Sequence, residues 1–352
     1  MNSAAPQRSM PPNPSATDKP DPREPGRPTP AGAPLNKNFR TGVSVSKKVA
    51  ILLCTYQGQA YLAEQLDSYA AQTHEAWDLW VSDDGSKDRT HAILDAYRDT
   101  WRGRHEVTVF QGPRKGFAAN FLSLLCRPEV EADYFSYSDQ DDIWQAEKIE
   151  RAVQWLDTVD PAIPALYCCR TQLVDESNQD IGCSPLFQRP PGFRNALVQN
   201  IAGGNTMVFN QAARRLMLAI GPAADVVAHD WLTYQAVCAG GGVVHYDPRP
   251  SLRYRQHGGN LIGSNSGLSA RLTRVRMLLQ GQLKDWNERN IRALAAIRSR
   301  MPEEARSVFD RFRQAREQSL PARVWGTLHS GVYRQTVPGN IGLLVAAIFN
   351  KI

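Results

Sequence analysis

The strongest constraint on this chain is a hydrophobic pattern that switches repeatedly between strand and helix character from Val49 to Leu156. VAILLC is a short apolar run and predicts a buried strand. AYLAEQLDSYAAQ follows, with Leu62, Leu66 and Tyr69 at helical spacing. WDLWVS predicts a second strand ending in DDGS. Ser86 is placed to cap the next helix, whose inward stripe is Ile93, Leu94 and Tyr97. VTVF predicts a third strand, FAANFLSLL a helix and DYFSYS a fourth strand. EKIERAVQWLD predicts an amphipathic helix with Ile149, Val153 and Leu156 on one face. Such alternation predicts an α/β fold on a parallel, doubly wound sheet. Sheets of this kind bind ligands beyond the carboxyl ends of their strands. After Arg170 the pattern is less regular, through AGGNTMVFN and GGVVHYD, and from Leu268 the chain reads as helical and basic.

Two of the predicted strands end in acids: Asp83–Asp84, and Asp139, Asp141 and Asp142 within YSDQDDIW. Crowding like charges gains a folding chain nothing, so a positive partner is implied. A hard divalent cation, Mg²⁺ or Mn²⁺, suits carboxylate oxygens and commonly also holds substrate phosphates. Strand alternation sends Asp139 and Asp141 to one side and Gln140 to the other. The competing reading is a solvated acidic loop. A calcium loop is excluded, because Trp144 stands where its turn needs glycine. A phosphate-binding loop of the G-x-x-x-x-G-K-[ST] type is absent.

Composition bounds the remaining choices. Ten of the 23 prolines lie at or before Pro34, so residues 1–46 are expected to be a disordered tail. The six cysteines form no C-x-x-C pair, which argues against a zinc ribbon. They read as reduced thiols and hence as cytoplasmic. No apolar leader and no apolar run of roughly 18 residues is visible. The formal net charge is +6, but Arg253–Ile352 alone carries 17 Lys and Arg against 6 Asp and Glu. That basic segment implies an anionic partner. Nucleic acid is disfavoured, since no recognition motif is present.

VAILLCTYQGQAYLAEQLDSYAAQT, SDDGSKDRT and YSDQDDIW, in this order, resemble inverting family 2 glycosyltransferases of the GT-A fold. The DQDDIW form, and the closing GVYRQTVPGNIGLLVAAI, look most like the bacterial rhamnosyltransferase branch. The resemblance runs from Lys48 to His257. It implies a mixed, mostly parallel sheet flanked by helices over residues 47–265, with a helical basic extension over 266–352. It implies that Asp139 and Asp141 hold the divalent cation, with His257 of YRQHGGN as a third ligand. By the same resemblance Thr55, Tyr56, Asp83 and Asp84 meet the donor nucleotide, Gly203 and Gly204 lie beside the donor sugar, and Asp230 of HDW is the catalytic base. Trp231 is then placed to stack on an acceptor sugar, and Lys115 to touch a phosphate. Taken singly, these residues have blander readings: Asp230 or Asp142 as a helix cap, His257 as a bonded structural histidine, the glycines as a turn, Trp231 as core, Lys115 as a solvated lysine. The pair normally reading Glu-Asp is His229–Asp230 here, and the Q-x-x-R-W of processive synthases is missing.

The expected activity is inverting transfer of one sugar, or few, from a nucleoside diphosphate sugar. The branch implies L-rhamnose from dTDP-rhamnose, passed to a cell-surface glycan precursor such as a lipid-linked O-antigen intermediate. The alternatives are another donor, UDP-hexose or UDP-GalNAc, or an inactive nucleotide-sugar-binding assembly partner. NIGLLVAAIF is too short to span a bilayer, which needs ~20 residues. Together with Arg271, Arg274, Arg276, Arg311, Arg313 and Arg316 it suits peripheral attachment to an anionic leaflet, on the cytoplasmic face of the inner membrane. The competing reading is that it packs on the catalytic domain.

Overall fold

The apolar run at Val49–Thr55 forms β1, and all of it is buried. Its side chains alternate between two cores. Ala50, Leu52 and Cys54 enter one, and Val49, Ile51 and Leu53 enter the other. The computed structural model describes residues 46–256 and 281–352. Then come α1 (Leu62–Ala70), β2 (Trp77–Asp83), α2 (Thr90–Thr100), β3 (Val107–Gln111), α3 (Phe117–Leu125) and β4 (Tyr134–Ser138). These match the expected order. Next are β5 (Ile143–Trp144), α4 (Lys148–Leu156), β6 (Ala165–Cys169), β7 (Gln172–Val174), β8 (Asp180–Cys183) and α5 (Phe193–Ala196). β9 (Val208–Asn210), α6 (Gln211–Ile220), α7 (His229–Ala239), β10 (Val243–Asp247) and β11 (Leu252–Arg255) complete the sheet region.

The main sheet has seven strands in the order β10-β6-β9-β4-β1-β2-β3. β9 runs antiparallel to β4 and β6, while the other pairings are parallel. This is the mixed, mostly parallel sheet flanked by helices that was expected. A second sheet, β5-β11-β7-β8, takes up the chain as it leaves the acidic loop.

Two local expectations are corrected. Ser86 does not cap α2. Its hydroxyl turns back to Asp83, and Asp88 instead accepts from the Thr90 amide at 3.0 Å. Asp142 caps no helix. β5 follows it, and its carboxylate is buried against Asn205.

Four helices follow the undescribed residues: α8 (Gln282–Ala295), α9 (Glu303–Glu317), α10 (Leu320–Ser330) and α11 (Val337–Ile348). Leu294 of α8, Phe309 and Phe312 of α9, and Leu343, Ala346 and Ala347 of α11 join the same core as Leu52 and Phe135. One face of α11 therefore belongs to the core that continues beneath the main sheet. Two arginines are spent inside this packing. Arg316 donates to the carbonyls of Ile352 and Lys284 and to Glu288. Arg323 donates to the carbonyls of Gln318, Ala347 and Ile348. A helix C-terminus leaves carbonyls unsatisfied, and a guanidinium fork supplies the missing donors. Of the arginines expected to face a membrane, Arg316 is thus buried, Arg311 and Arg313 are exposed, and Arg271, Arg274 and Arg276 lie outside the described residues. The expected boundary between residues 265 and 266 lies there too, as do His257 and residues 1–45.

Candidate active site

The site begins with strand register. In parallel pairing Thr55 lies opposite Asp83, and Leu53 opposite Ser138. Three chain exits, at Tyr56, Asp84 and Asp139, therefore share one edge of the sheet. Asp83 is buried and accepts from Thr55 Oγ1 at 2.8 Å, Ser86 N at 2.8 Å, Ser86 Oγ at 2.6 Å and Gly85 N at 3.1 Å. Burial pushes its carboxyl up, but the hydrogen bonds from Ser86, Thr55 and Gly85 more than offset this and hold it below the usual value. Asp84 accepts from the amides of Arg114 at 2.5 Å and Gly116 at 3.1 Å, which fixes the loop bearing the exposed Lys115. Tyr56 projects from the edge, 59% exposed.

Gln140, the middle residue of DQD, folds over that first exit. Its Oε1 accepts from Tyr56 N and its Nε2 donates to Tyr56 O, both at 2.9 Å. The acidic loop and the β1 loop are thereby one unit. On its other flank Arg255, 2% exposed, donates to the carbonyls of Asp141 at 3.2 Å and Glu176 at 2.9 Å and to Glu64 Oε2 at 2.5 Å. Its guanidinium also lies over the Tyr61 ring, 4.5 Å from the centroid. Lys148 is buried behind the loop, donating to Ser136 Oγ at 3.1 Å and sitting 3.5 Å from the Trp144 ring centroid. Burial lowers its ammonium to about 7, against the opposing influence of Cys169 and Asp142.

The carboxylates themselves are crowded. Asp139 and Asp141 are half-buried and Asp142 fully so. Burial first, then Asp141 and Asp230, push the Asp139 carboxyl well above the usual range. Burial, Asp141 and Asp139 do the same to Asp142. Asp84 and Asp139 both act on the buried Cys54 thiol at the end of β1. Asp139 therefore lies within electrostatic reach of Asp141, Asp142 and Asp230, and Asp84 leaves the same sheet edge.

Asp230 stands in the first turn of α7, behind Ala228 at the cap position, so it does not cap the helix itself. Its Oδ2 accepts from the Gly204 amide at 3.1 Å and its Oδ1 from the Trp231 amide at 2.6 Å. Burial raises its carboxyl to about 6, in part offset by Trp231, Gly204 and Asn200. The next residue, Asn205, donates to Asp142 Oδ2 at 2.6 Å. The glycine loop is thus tied to Asp230 on one side and to the acidic loop on the other. Gly204 is needed for packing: a Cβ there would lie 2.5 Å from His229 Nε2. His229 stacks on Phe121 at 3.8 Å, and burial lowers its pKa to about 3, so the ring is neutral. Gly203 is exposed at the mouth of the loop. Trp231 is corrected from acceptor platform to core. It is 6% exposed, and its indole N–H donates to Ala196 O at 2.7 Å.

Residues 50–218 match the family model Glycosyl transferase family 2. The chain carries a family 2 glycosyltransferase domain. It is 27% identical over 233 residues to the dTDP-rhamnosyl transferase RfbG of Shigella flexneri, covering 63% of this chain and 78% of that protein. It is 28% identical to the glycosyltransferase RP339 of Rickettsia prowazekii over 41% of this chain and 42% of that protein. Among solved structures, the mannosyltransferase PcManGT of Pyrobaculum calidifontis, in complex with GDP-Man and Mn²⁺, aligns over 88% of both chains at 17% identity with a TM-score of 0.46.

Among the described residues of the glycosyltransferase domain, no group of three His, Cys, Asp or Glu is set to hold a metal ion. The pair Asp139 and Asp141 nevertheless fits a hard cation. Both offer oxygen donors, and burial and the neighbouring Asp141 oppose the ionisation of Asp139 in a way that a cation relieves. Magnesium commonly uses one or two carboxylates and completes its shell with waters and substrate phosphates. Four residues of this site were not singled out from the sequence: Gln140, Lys148, Asn205 and Arg255. Lys148 had a signal, since it shares the inward stripe of α4 with Ala152. The others act through partners too distant in sequence to leave one.

Proposed function

We propose that the chain is an inverting glycosyltransferase that moves a sugar from a nucleoside diphosphate donor to a glycan acceptor. The observation that carries this reading is the bonded chain Asp142–Asn205–Gly204–Asp230, which joins the acidic loop to a half-buried carboxylate of raised pKa. Such a carboxylate suits general-base work near neutral pH. Asp230, aligned by the Gly204 and Trp231 amides, takes the proton from the acceptor hydroxyl as that oxygen attacks the anomeric carbon. Attack opposite the leaving group inverts the centre. Asp139 and Asp141, with His257 from outside the described residues, would hold Mg²⁺ or Mn²⁺, whose chemistry here is to neutralise the diphosphate. Tyr56, Asp84 and the loop it ties line the nucleotide end, with Thr55 and Asp83 setting the backbone beneath them. Gly203 and Gly204 border the sugar.

The similarity to the dTDP-rhamnosyl transferase RfbG favours dTDP-rhamnose as donor; the acceptor we propose is a lipid-linked O-antigen intermediate, met at the cytoplasmic face of the inner membrane. Calorimetry with a panel of nucleotide sugars, with and without Mn²⁺, tests this. dTDP-rhamnose is expected to bind best and only with the metal. Equal binding of UDP-hexoses removes the donor assignment, and binding indifferent to metal removes the cation.

A further inference from the structure

A surface helix ordinarily shows water a polar face. The outer face of α11 does not. Its exposed residues are Val337, Pro338, Ile341, Leu344 and Ile348, and Phe349 follows at 62% exposure. Val337, Ile341, Leu344 and Ile348 fall at helical spacing and form one stripe, opposite the buried Leu343, Ala346 and Ala347. The neighbouring α10 exposes Trp325 at 65% and Leu328 at 59%. Arg323 of α10 bonds the last carbonyls of α11, so the two helices are joined. Neither helix exposes an acidic or basic side chain along its length, apart from His329.

The charged side chains within and flanking these two helices have one sign. No acidic residue follows Glu317, while Arg334 and Lys351 flank α11. No helix among the described residues is long and apolar enough to cross a membrane. The 12 residues of α11 can instead lie along a surface with one face immersed. Tryptophan and phenylalanine suit the boundary between headgroups and acyl chains.

We infer that α10 and α11 form an in-plane docking element for an anionic lipid surface. The buried face of α11 anchors it to the catalytic core, and the outer stripe enters the bilayer. Arg334 and Lys351 meet the headgroups. This deepens the proposed function by naming where a lipid-linked acceptor is met, but lipid binding itself requires no sugar transfer.

The test is flotation of the full chain with vesicles of phosphatidylcholine alone or with phosphatidylglycerol added, in the absence of donor. The expected result is co-flotation with the phosphatidylglycerol vesicles. Ile341→Glu and, separately, Trp325→Ser should each lower the bound fraction roughly tenfold, with melting temperature and soluble-donor binding unchanged. These positions are 60% and 65% exposed, so neither change opens the core. Wild-type protein that stays soluble with both vesicles overturns the inference. So does a dimer in light scattering that Ile341→Glu splits while vesicle binding is unaffected, because a second copy then covers the face. Donor binding measured without vesicles reports on the catalytic reading alone.

Discussion

Two regions break the usual partition of polar and apolar groups, in opposite directions. At the carboxyl edge of the sheet, Asp139, Asp142 and Asp230 are drawn out of water, and burial raises each carboxyl. On the outer face of α10 and α11, Trp325, Ile341 and Phe349 are left in it. The fold handles buried charge well elsewhere: Arg316 and Arg323 each find three acceptors. A chain that can satisfy buried guanidiniums this fully has no structural need for crowded carboxylates. Under the two proposals above these exceptions are incomplete surfaces, one to be completed by a cation with its diphosphate, the other by lipid.

The largest expected effect separates chemistry from binding at the first region. Asp230→Asn keeps the shape of the side chain and one of its two amide contacts but removes the base. Turnover should fall roughly 10²–10⁴-fold with donor affinity unchanged. Full turnover in this variant would remove Asp230 from the mechanism. Asp139→Asn comes next and acts the other way round. It should abolish the Mn²⁺ dependence of donor binding. In metal-free buffer it should also raise the melting temperature, because it relieves like-charge crowding worth about 1–2 kcal/mol. A melting temperature that drops instead would mean Asp139 is structural.

The pH dependence sharpens the comparison further. A folded-state carboxyl at about 6, against an ordinary 3.8, binds more protons in the native than in the unfolded chain between those values. Stability therefore falls as pH rises through that window, by about 3 kcal/mol from Asp230 alone. Activity runs opposite. It rises roughly tenfold per pH unit up to about 6 and then levels, because the base must be ionised. The buried His229 acts with the opposite sign over the same range, so the test is the difference between wild type and Asp230→Asn: a wild-type advantage in metal-free melting that grows from pH 4 to 6 would contradict the assignment. Lipid binding through α10 and α11 does not involve Asp230 and should not follow its titration.

How much of this was legible depended on the range of the forces involved. β1 to β4 and the helices between them follow from local period. α3 was bounded correctly because FAANFLSLL is apolar between a glycine and a cysteine. The acidic loops could be placed because a strand must end before a charge cluster. The second sheet was not foreseen: β5, β7, β8 and β11 are two to four residues long, too short to show alternation. Local capping rules failed at Ser86, whose hydroxyl donates to Asp83 three residues back, and at Asp142, which is held by Asn205 across the site. Arg255, which braces the acidic loop at the Asp141 carbonyl, bonds Glu64 across 191 positions, and no spacing rule reaches that far.

The smallest expected effect concerns Trp231, which the sequence offered both as core and as a sugar platform. Its indole N–H donates to Ala196 O, and the ring meets Trp286 edge-on at 6.2 Å. Gln235 Nε2 also donates to that carbonyl at 3.1 Å, so Trp231→Phe leaves no acceptor orphaned. The cost is then one hydrogen bond and a modest loss of volume, about 1–2 kcal/mol. Melting should drop by a few degrees, with the KM for acceptor within roughly twofold of wild type. An acceptor KM that rises tenfold at unchanged stability would put the ring back in the sugar site. A fall in kcat alone would carry a different message: α7 bears both Trp231 and Asp230, so repacking the one would have displaced the other.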